Sequence, residues 1–213
     1  MERRRADLTP VVAWTLQRLR GLGHAVERLE TCHRQLDPLR ALRAAQALTA
    51  ASVAPDFRRL LHQAVAHALP ELPLQRVWVQ TYAHFRILVP GDHEGPVPAH
   101  TDFGFGHGLA ERNLWFALTD AAGPGALHVA PLSPSLAWHA RAGRARQVER
   151  DGPRLEPVPV RAGEVLLFTP LHVHAAQAPT GDVARVSIDL RICPRPVTPR
   201  DFSFSPLFPC EAP

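Results

Sequence analysis

The chain has 213 residues, a formal net charge of +4 and 46% hydrophobic residues, enough for one well-buried domain and short for two. No apolar run approaches the roughly 20 residues that cross a bilayer, and no apolar stretch follows the basic start Met1 to Arg5, so neither a membrane partner nor a secretory signal is expected. Lysine is absent and the arginines are scattered, apart from Arg141, Arg144 and Arg146, without interleaved aromatics, which reads as a GC-rich coding bias and a solvated surface and argues against a nucleic-acid partner.

Thr9 and Pro10 supply an N-cap and a first-turn proline. Val11, Trp14, Leu16, Leu19 and Leu22 follow at three- and four-residue spacing, which predicts a helix that Gly21 and Gly23 end. The pattern resumes through Val26, Leu29 and Leu36. Asp37 and Pro38 repeat the start signal ahead of Leu39, Leu42 and Leu48. Pro55 opens a further helix through Phe57, Leu60, Leu61, Val65 and Leu69, which Pro70 stops. Beyond Pro73 the hydrophobic period drops from about 3.6 to about 2. Short strands are predicted at residues 77–82, 85–89, 114–118, 127–130, 158–160, 165–168 and 185–192, separated by Pro and Gly clusters. A helical block followed by many short strands predicts a small β-barrel or sandwich braced by helices. The expected organisation is one domain: a helical brace over 1–72, a β core over 73–194, and a tail over 195–213 anchored by Phe202, Phe204 and Phe208. Cys32, Cys193 and Cys210 are odd in number and widely spaced, which fits neither a disulfide framework nor a zinc site. A reducing cytoplasm is the expected location.

Within the β region, His100 and Asp102 stand two apart. In an extended segment such a pair shares one face, so both can aim at one point, with Thr101 turned away. His174, just past the strand at 165–168, can complete a set of two imidazoles and one carboxylate. That set leaves three adjacent positions open on an octahedral ion, as in mononuclear iron oxygenases. Two of them suit the keto-acid end of 2-oxoglutarate and the third dioxygen. Catalytic zinc uses a similar set, so the triad alone does not select iron. His172 has the same parity as His174; His174 is preferred because small Ala175 and Ala176 follow it. His84, His93 and His107 read as loop or structural histidines.

Arg185, Ser187, Asp189 and Arg191 alternate with Val186, Ile188, Leu190 and Ile192, giving a strand with one polar and one aliphatic face. With the aliphatic face against helices, the polar face lines the barrel interior. Arg185 then offers a bidentate fork to the distal carboxylate of 2-oxoglutarate, and Ser187 adds a hydroxyl. Asn113 and Trp115 share the inward face of their strand. Asn113 is a candidate for cosubstrate binding, and Trp115, Gln80 and Arg86 for substrate binding. The glycine-rich segment 103–108 and the loop 123–125 are candidates for the rim, and the arginine-rich stretch 138–156 for a mobile flap.

The stretches 79–87 (VQTYAHFRI), 100–107 (HTDFGFGH), 111–120 (ERNLWFALTD) and 185–192 (RVSIDLRI) resemble the phytanoyl-CoA-hydroxylase-like branch of the Fe(II)/2-oxoglutarate dioxygenases, among them oxygenases of aminoglycoside clusters of the streptomycin and hygromycin type. The resemblance covers roughly residues 77–194. It implies a double-stranded β-helix (a jelly-roll, cupin-like core), His100, Asp102 and His174 on Fe(II), and Arg185 on 2-oxoglutarate with O2 as co-reactant. The interval from His174 to Arg185 suits that family. His174-Ala175-Ala176 departs from its more usual His-Gly, which alters the floor of the site.

These readings converge on a monomeric or homodimeric oxygenase that tailors a small-molecule secondary metabolite, an aminoglycoside or aminocyclitol, by hydroxylation or oxidative C–O ring closure of the orthoester type. Asp92, Glu94 and Glu111 are the carboxylates available to seat its ammonium groups. The alternatives are a hydroxylase of a free or carrier-bound amino acid, a non-oxygenase metal enzyme on a cupin-type barrel, and a sugar-binding barrel.

Overall fold

Prolines at their first turns start three of the helices. The computed structural model describes residues 1–72, 77–92, 95–143, 145, 148 and 151–193, with the backbone of 204–206. After a short strand, β1 (Glu2–Arg5), come α1 (Thr9–Gly21), α2 (Pro38–Ala51) and α3 (Pro55–Ala68). Pro10, Pro38 and Pro55 sit where a missing N–H costs nothing, and the Asp37 carboxylate accepts from Arg40 N at 2.8 Å to cap α2. The expectation that Leu39 and Leu42 face the core is corrected: they are 53% and 43% exposed, and α2 buries Ala41, Ala44, Ala45 and Leu48 instead. That small-residue face lets the helix lie close to the sheet.

The strands follow as β2 (Trp78–Gln80), β3 (His84–Leu88), β4 (Val97–His100), β5 (Arg112–Ala117) and β6 (Leu127–Val129). After helix α4 (Leu132–Ala142) come β7 (Glu156–Val158), β8 (Glu164–Phe168), β9 (His174–Ala176), β10 (Arg185–Cys193) and β11 (Phe204–Pro206). Among the described residues they form two antiparallel sheets. The larger runs β1-β8-β5-β10-β2-β11, with β3 also on β10, and the smaller runs β4-β9-β6-β7. This is the expected jelly-roll core. The strand predicted at 158–160 lies two residues earlier, and Val160 makes an isolated bridge to Ala121. Strands β1, β4 and β9 are too short to show a period, and helix α4 is not among the elements that the sequence predicts.

The helices pack on the outer face of the larger sheet. Val186, Ile188, Leu190 and Ile192 of β10 join Leu114, Phe116, Phe57 and Trp14 in one hydrophobic core. Phe57 packs its ring against Trp14 at 4.3 Å and Phe85 at 5.5 Å between centroids, tying α1, α3 and β3 together. Helix α2 also satisfies the edge of β3: Phe85 N donates to Thr49 Oγ1 and Ala83 N to Ser52 Oγ, both at 2.9 Å. A second cluster, with Trp115, Leu127, Leu166 and Phe168, fills part of the space between the sheets.

The stretch expected to be a flap from 138 to 156 begins as ordered structure, because Trp138 in α4 is buried against Ala130 and Val173. Residues 144, 146, 147, 149 and 150 lie outside the described residues, as do His93, Glu94, Cys210 and the tail side chains of Phe202, Phe204 and Phe208. No described helix is long and apolar enough to cross a membrane.

Because Phe57 is fully buried, Phe57→Ala should destabilise the fold by about 3–5 kcal/mol. Urea unfolding of the purified variant measures this, and a loss below about 1 kcal/mol would show that the helical layer does not depend on the Trp14–Phe57–Phe85 contact.

Candidate active site

The polar residues of β10 face inward, against the facing strands of the same sheet. Asp189 stands opposite His84 and Trp115, Ser187 opposite Arg86 and Ala117, and Arg191 opposite Asn113. The smaller sheet supplies the other wall: β4 and β9 pair with His100 opposite His174. His100, Asp102 and His174 each offer one ligand atom, all within 4.8 Å of one another. The pairing of His100 and Asp102 does not come from strand parity, as the spacing suggested. β4 ends at His100, and Asp102 has helical dihedrals (φ −67°, ψ −30°) at the head of a short 3-10 turn. The chain folds back there, and Gly106 takes a φ of 107° that a Cβ would resist, letting His107 N reach Asp102 O at 3.2 Å.

Hydrogen bonds orient each member of the cluster. His100 Nδ1 lies 2.8 Å from Pro98 O and His174 Nδ1 lies 3.0 Å from His172 O. A carbonyl can only accept, so each ring donates through Nδ1 and keeps the Nε2 lone pair for a metal. Burial, with the neighbouring His100, pushes His174 down to about 4, so its ring is neutral at neutral pH. Asp102 Oδ2 accepts from Asn113 Nδ2 at 2.6 Å and from Arg191 Nη2 at 3.1 Å, while Oδ1 lies 3.7 Å from His100 Nε2. Burial alone would raise the Asp102 carboxyl, but Arg191 and the histidines hold it well below the usual range. His172 does not join the cluster: it is buried, with Nδ1 in the Thr169 turn, 2.9 Å from Thr169 Oγ1.

Arg185 is 1% exposed. Its Nη1 donates to Ser187 Oγ at 2.6 Å, and its guanidinium carbon lies 5.4 Å from the centre of the Trp115 ring. Burial pushes it down to about 10, so it remains cationic at neutral pH. Its Nε and Nη2 are buried without a partner, as are Trp115 Nε1 and Asn113 Oδ1. Orphaned buried donors are rare and costly, and a guanidinium with two of them suits a carboxylate. The inner wall therefore fits an anionic ligand beside a metal.

A cleft of about 320 Å³ opens onto the cluster, lined by His84, Arg86, Val97, Pro98, His100, Asp102, Phe105, His107 and Arg191. Behind it a narrow chamber of about 20 Å³ reaches Trp115, Ala175, Ala176 and Asp189. Of the sequence candidates, Arg86 and Trp115 line these spaces. Gln80 is buried with both amide atoms unpartnered but does not line them. His84, expected in a loop, lies on β3 facing the cleft, and burial with the nearby Arg191 pushes it down to about 4. Parity with Arg185 on β10 places Arg191 inside, as the sequence predicts, but its bond to Asp102 is visible only in the structure. Of the carboxylates expected at the mouth, Glu94 lies outside the described residues and the other two are engaged: Asp92 Oδ1 accepts from Gly95 N, and Glu111 accepts from Gly108 N and pairs with His107 Nδ1.

The phytanoyl-CoA dioxygenase (PhyH) family model matches residues 16–187. No curated protein matches the chain. Among solved structures, it is similar to SnoK, a non-heme alpha-ketoglutarate-dependent carbocyclase from nogalamycin biosynthesis (TM-score 0.54, 17% identity, 95% of this chain and 90% of that one). It is also similar to ThoJ, a non-heme monooxygenase (TM-score 0.53, 19% identity, 91% and 80%). It spans only 30% of EvdMO1, over 66% of its own length, at 22% identity and a TM-score of 0.43. At these identities the likeness is one of fold.

The two histidines held neutral set a pH dependence. Unfolded, His84 and His174 would protonate near 6.5; folded, near 4. Their contribution to stability is complete above about 6.5 and is lost as pH falls towards 4. Urea midpoints of metal-free protein should therefore drop between pH ~7.5 and ~5; a flat profile would contradict the neutral assignment.

Proposed function

The chain belongs to the phytanoyl-CoA dioxygenase family, whose members are Fe(II)- and 2-oxoglutarate-dependent oxygenases using O2, and from that premise we propose that it tailors a small secondary metabolite by hydroxylation or oxidative C–O ring closure. In this reading His100, Asp102 and His174 hold the iron. Arg185, with Ser187, binds the distal carboxylate of 2-oxoglutarate, and the observation that carries this is the pair of unpartnered donors on a buried arginine inside the same barrel. Trp115 lies along the cosubstrate, since it both lines the chamber and covers Arg185.

Asn113 and Arg191 act through Asp102. By occupying Oδ2 they leave Oδ1 as the oxygen directed to the metal; the amide oxygen of Asn113 can only accept and 2-oxoglutarate offers no donor, so Asn113 serves Asp102 and not the cosubstrate. When bound, iron with 2-oxoglutarate and dioxygen supplies the oxidising power that removes hydrogen from an unactivated carbon. The residues of this chain position the substrate, exclude water and hold the ligands neutral or ionised as needed.

The substrate class we propose rests on the sequence resemblance. SnoK and ThoJ, by their descriptions a carbocyclase and a monooxygenase, share this fold; the monooxygenase description is in keeping with hydroxylation, whereas a carbocyclase closes a carbon ring and not a C–O ring. A hydroxyl-rich aminocyclitol or aminoglycoside precursor is the substrate we assign. With Asp92 and Glu111 engaged internally, it would be seated through its hydroxyl groups rather than by carboxylate–ammonium pairs.

Anaerobic addition of Fe(II) and 2-oxoglutarate should produce the weak charge-transfer band of a ferrous keto-acid chelate at roughly 520 nm. Arg185→Ala should weaken 2-oxoglutarate binding by about 100-fold, the cost of roughly 3 kcal/mol for a charge-assisted bidentate contact, with iron loading retained. Loss of iron and cosubstrate together would indicate misfolding, and a normal band in the variant would remove Arg185 from the cosubstrate site.

A further inference from the structure

Most of the polar groups that line the cleft are committed within the protein. Asp102 accepts from Asn113 and Arg191 on Oδ2 and turns Oδ1 towards His100. His100 donates through Nδ1 to Pro98 O, which leaves Nε2 to the cluster, and His107 pairs with the buried carboxylate of Glu111. Arg86 donates through Nε to Asp189, and Arg191 through Nη2 to Asp102. Whatever donors these two guanidinium groups still offer, neither can accept a hydrogen bond.

His84 differs from all of these. It stands opposite Asp189 in the register of β3 and β10, on the same inward face of its strand as Arg86. It lines the cleft beside His100 and Asp102, with Arg191 and Arg86 near enough to act on its charge. Tyr82 meets its ring at 79°, with 4.9 Å between centroids, a contact that orients the imidazole without using either nitrogen. Neither nitrogen has a hydrogen-bond partner among the described residues. Burial and the Arg191 guanidinium keep the ring neutral at neutral pH, and a neutral imidazole offers one donor and one acceptor. His84 is therefore the side chain at the mouth with an acceptor to spare, set among donors.

We infer that His84 is a specificity residue: its ring accepts a hydrogen bond from a substrate hydroxyl whose oxygen accepts in turn from the guanidinium groups beside it. A hydroxyl donates and accepts at once, whereas a carboxylate only accepts and an ammonium only donates. The inference rests on the cofactor and substrate reading of the preceding section and gives that reading a residue. A hydroxyl-rich ring is sorted at the mouth by paired hydrogen bonds, with Val97, Pro98 and Phe105 as the apolar wall for its carbon face.

The test is calorimetric binding to the full chain under anaerobic conditions, with Fe(II) and saturating 2-oxoglutarate, using myo-inositol and 2-deoxystreptamine as probes. His84→Phe keeps a ring against Tyr82 and removes both nitrogens. It should weaken the tighter probe by about tenfold or more, a difference of about 1.4 kcal/mol, with iron loading and the visible band retained. His84→Gln or His84→Asn, each with one carbonyl and one amide, should bring affinity back to within about threefold of the unaltered protein. In unaltered protein carrying Zn(II) in the metal site, the ring nitrogen resonances of His84 should shift as the probe binds. Unshifted resonances would overturn the inference, whatever the variants do. So would undiminished binding by His84→Phe, or failure of both amide variants to restore it, because ring shape and not hydrogen bonding would then be read. Loss of the band in His84→Phe with circular dichroism intact would overturn it too, by assigning His84 to the metal or cosubstrate. Absence of the band in the unaltered protein overturns the cofactor assignment instead. A normal band with neither probe bound overturns the aminocyclitol reading and this inference with it, while a bound probe indifferent to His84 overturns this inference alone.

Discussion

Burying the ionic face of β10 inside a barrel is the constraint on which the rest of the structure depends. Arg185, Asp189 and Arg191 sit on one strand whose other face must be aliphatic, because it packs on the helical layer. Charges removed from water need partners, and the neighbouring strands provide them in register. Arg86 on β3 pairs with Asp189, and Asp102, at the turn after β4, pairs with Arg191. Each partnership joins elements distant in sequence, so the barrel and the site are held by the same contacts. Arg185 stands apart, since two of its donors have no partner among the described residues. Leaving such donors unsatisfied is costly, which is what supports the proposed cosubstrate role of Arg185.

The same economy of partners sets the chemistry at the metal cluster. Backbone carbonyls at Pro98 and His172 accept from Nδ1 of the two histidines, so Nε2 is the nitrogen that each ring turns to the cluster. Asn113 and Arg191 crowd onto one oxygen of Asp102, leaving the other to face the histidines. The larger sheet thus controls the carboxylate and the smaller sheet the imidazoles, and the cluster lies where the two walls face each other. Small Ala175 and Ala176 after His174 leave room at the floor, where Trp115 and Arg86 close the chamber from the opposite side.

Much of this was legible in the sequence. The prolines at 10, 38 and 55 marked the helix starts, because a proline is tolerated only in the first turn. Alternation along β10 and β5 gave both faces correctly, since a period of two is a strong signal over nine and six residues. His100, Asp102, His174 and Arg185 stood out by residue type and order. Other features were not legible for physical reasons. Strands β4 and β9 span four and three residues, too short to show a period. Leu39 and Leu42 looked like core because they are apolar, yet α2 needs an alanine face to approach β3. The convergence of His100 and Asp102 depends on a turn that their spacing alone does not reveal.

By itself, then, the sequence determined the fold class, the ligand types and the identity of the buried cation, because these follow from local periodicity and from the chemistry of individual side chains. Tertiary structure alone decided which groups are already partnered. Asp92 and Glu111 read as free carboxylates at the mouth until their internal bonds were seen, and Arg191 read as one polar position among four until it met Asp102. Partnership at the site is a relation between residues 89 and 103 positions apart, and no pattern along the chain encodes it; only the registered strands do.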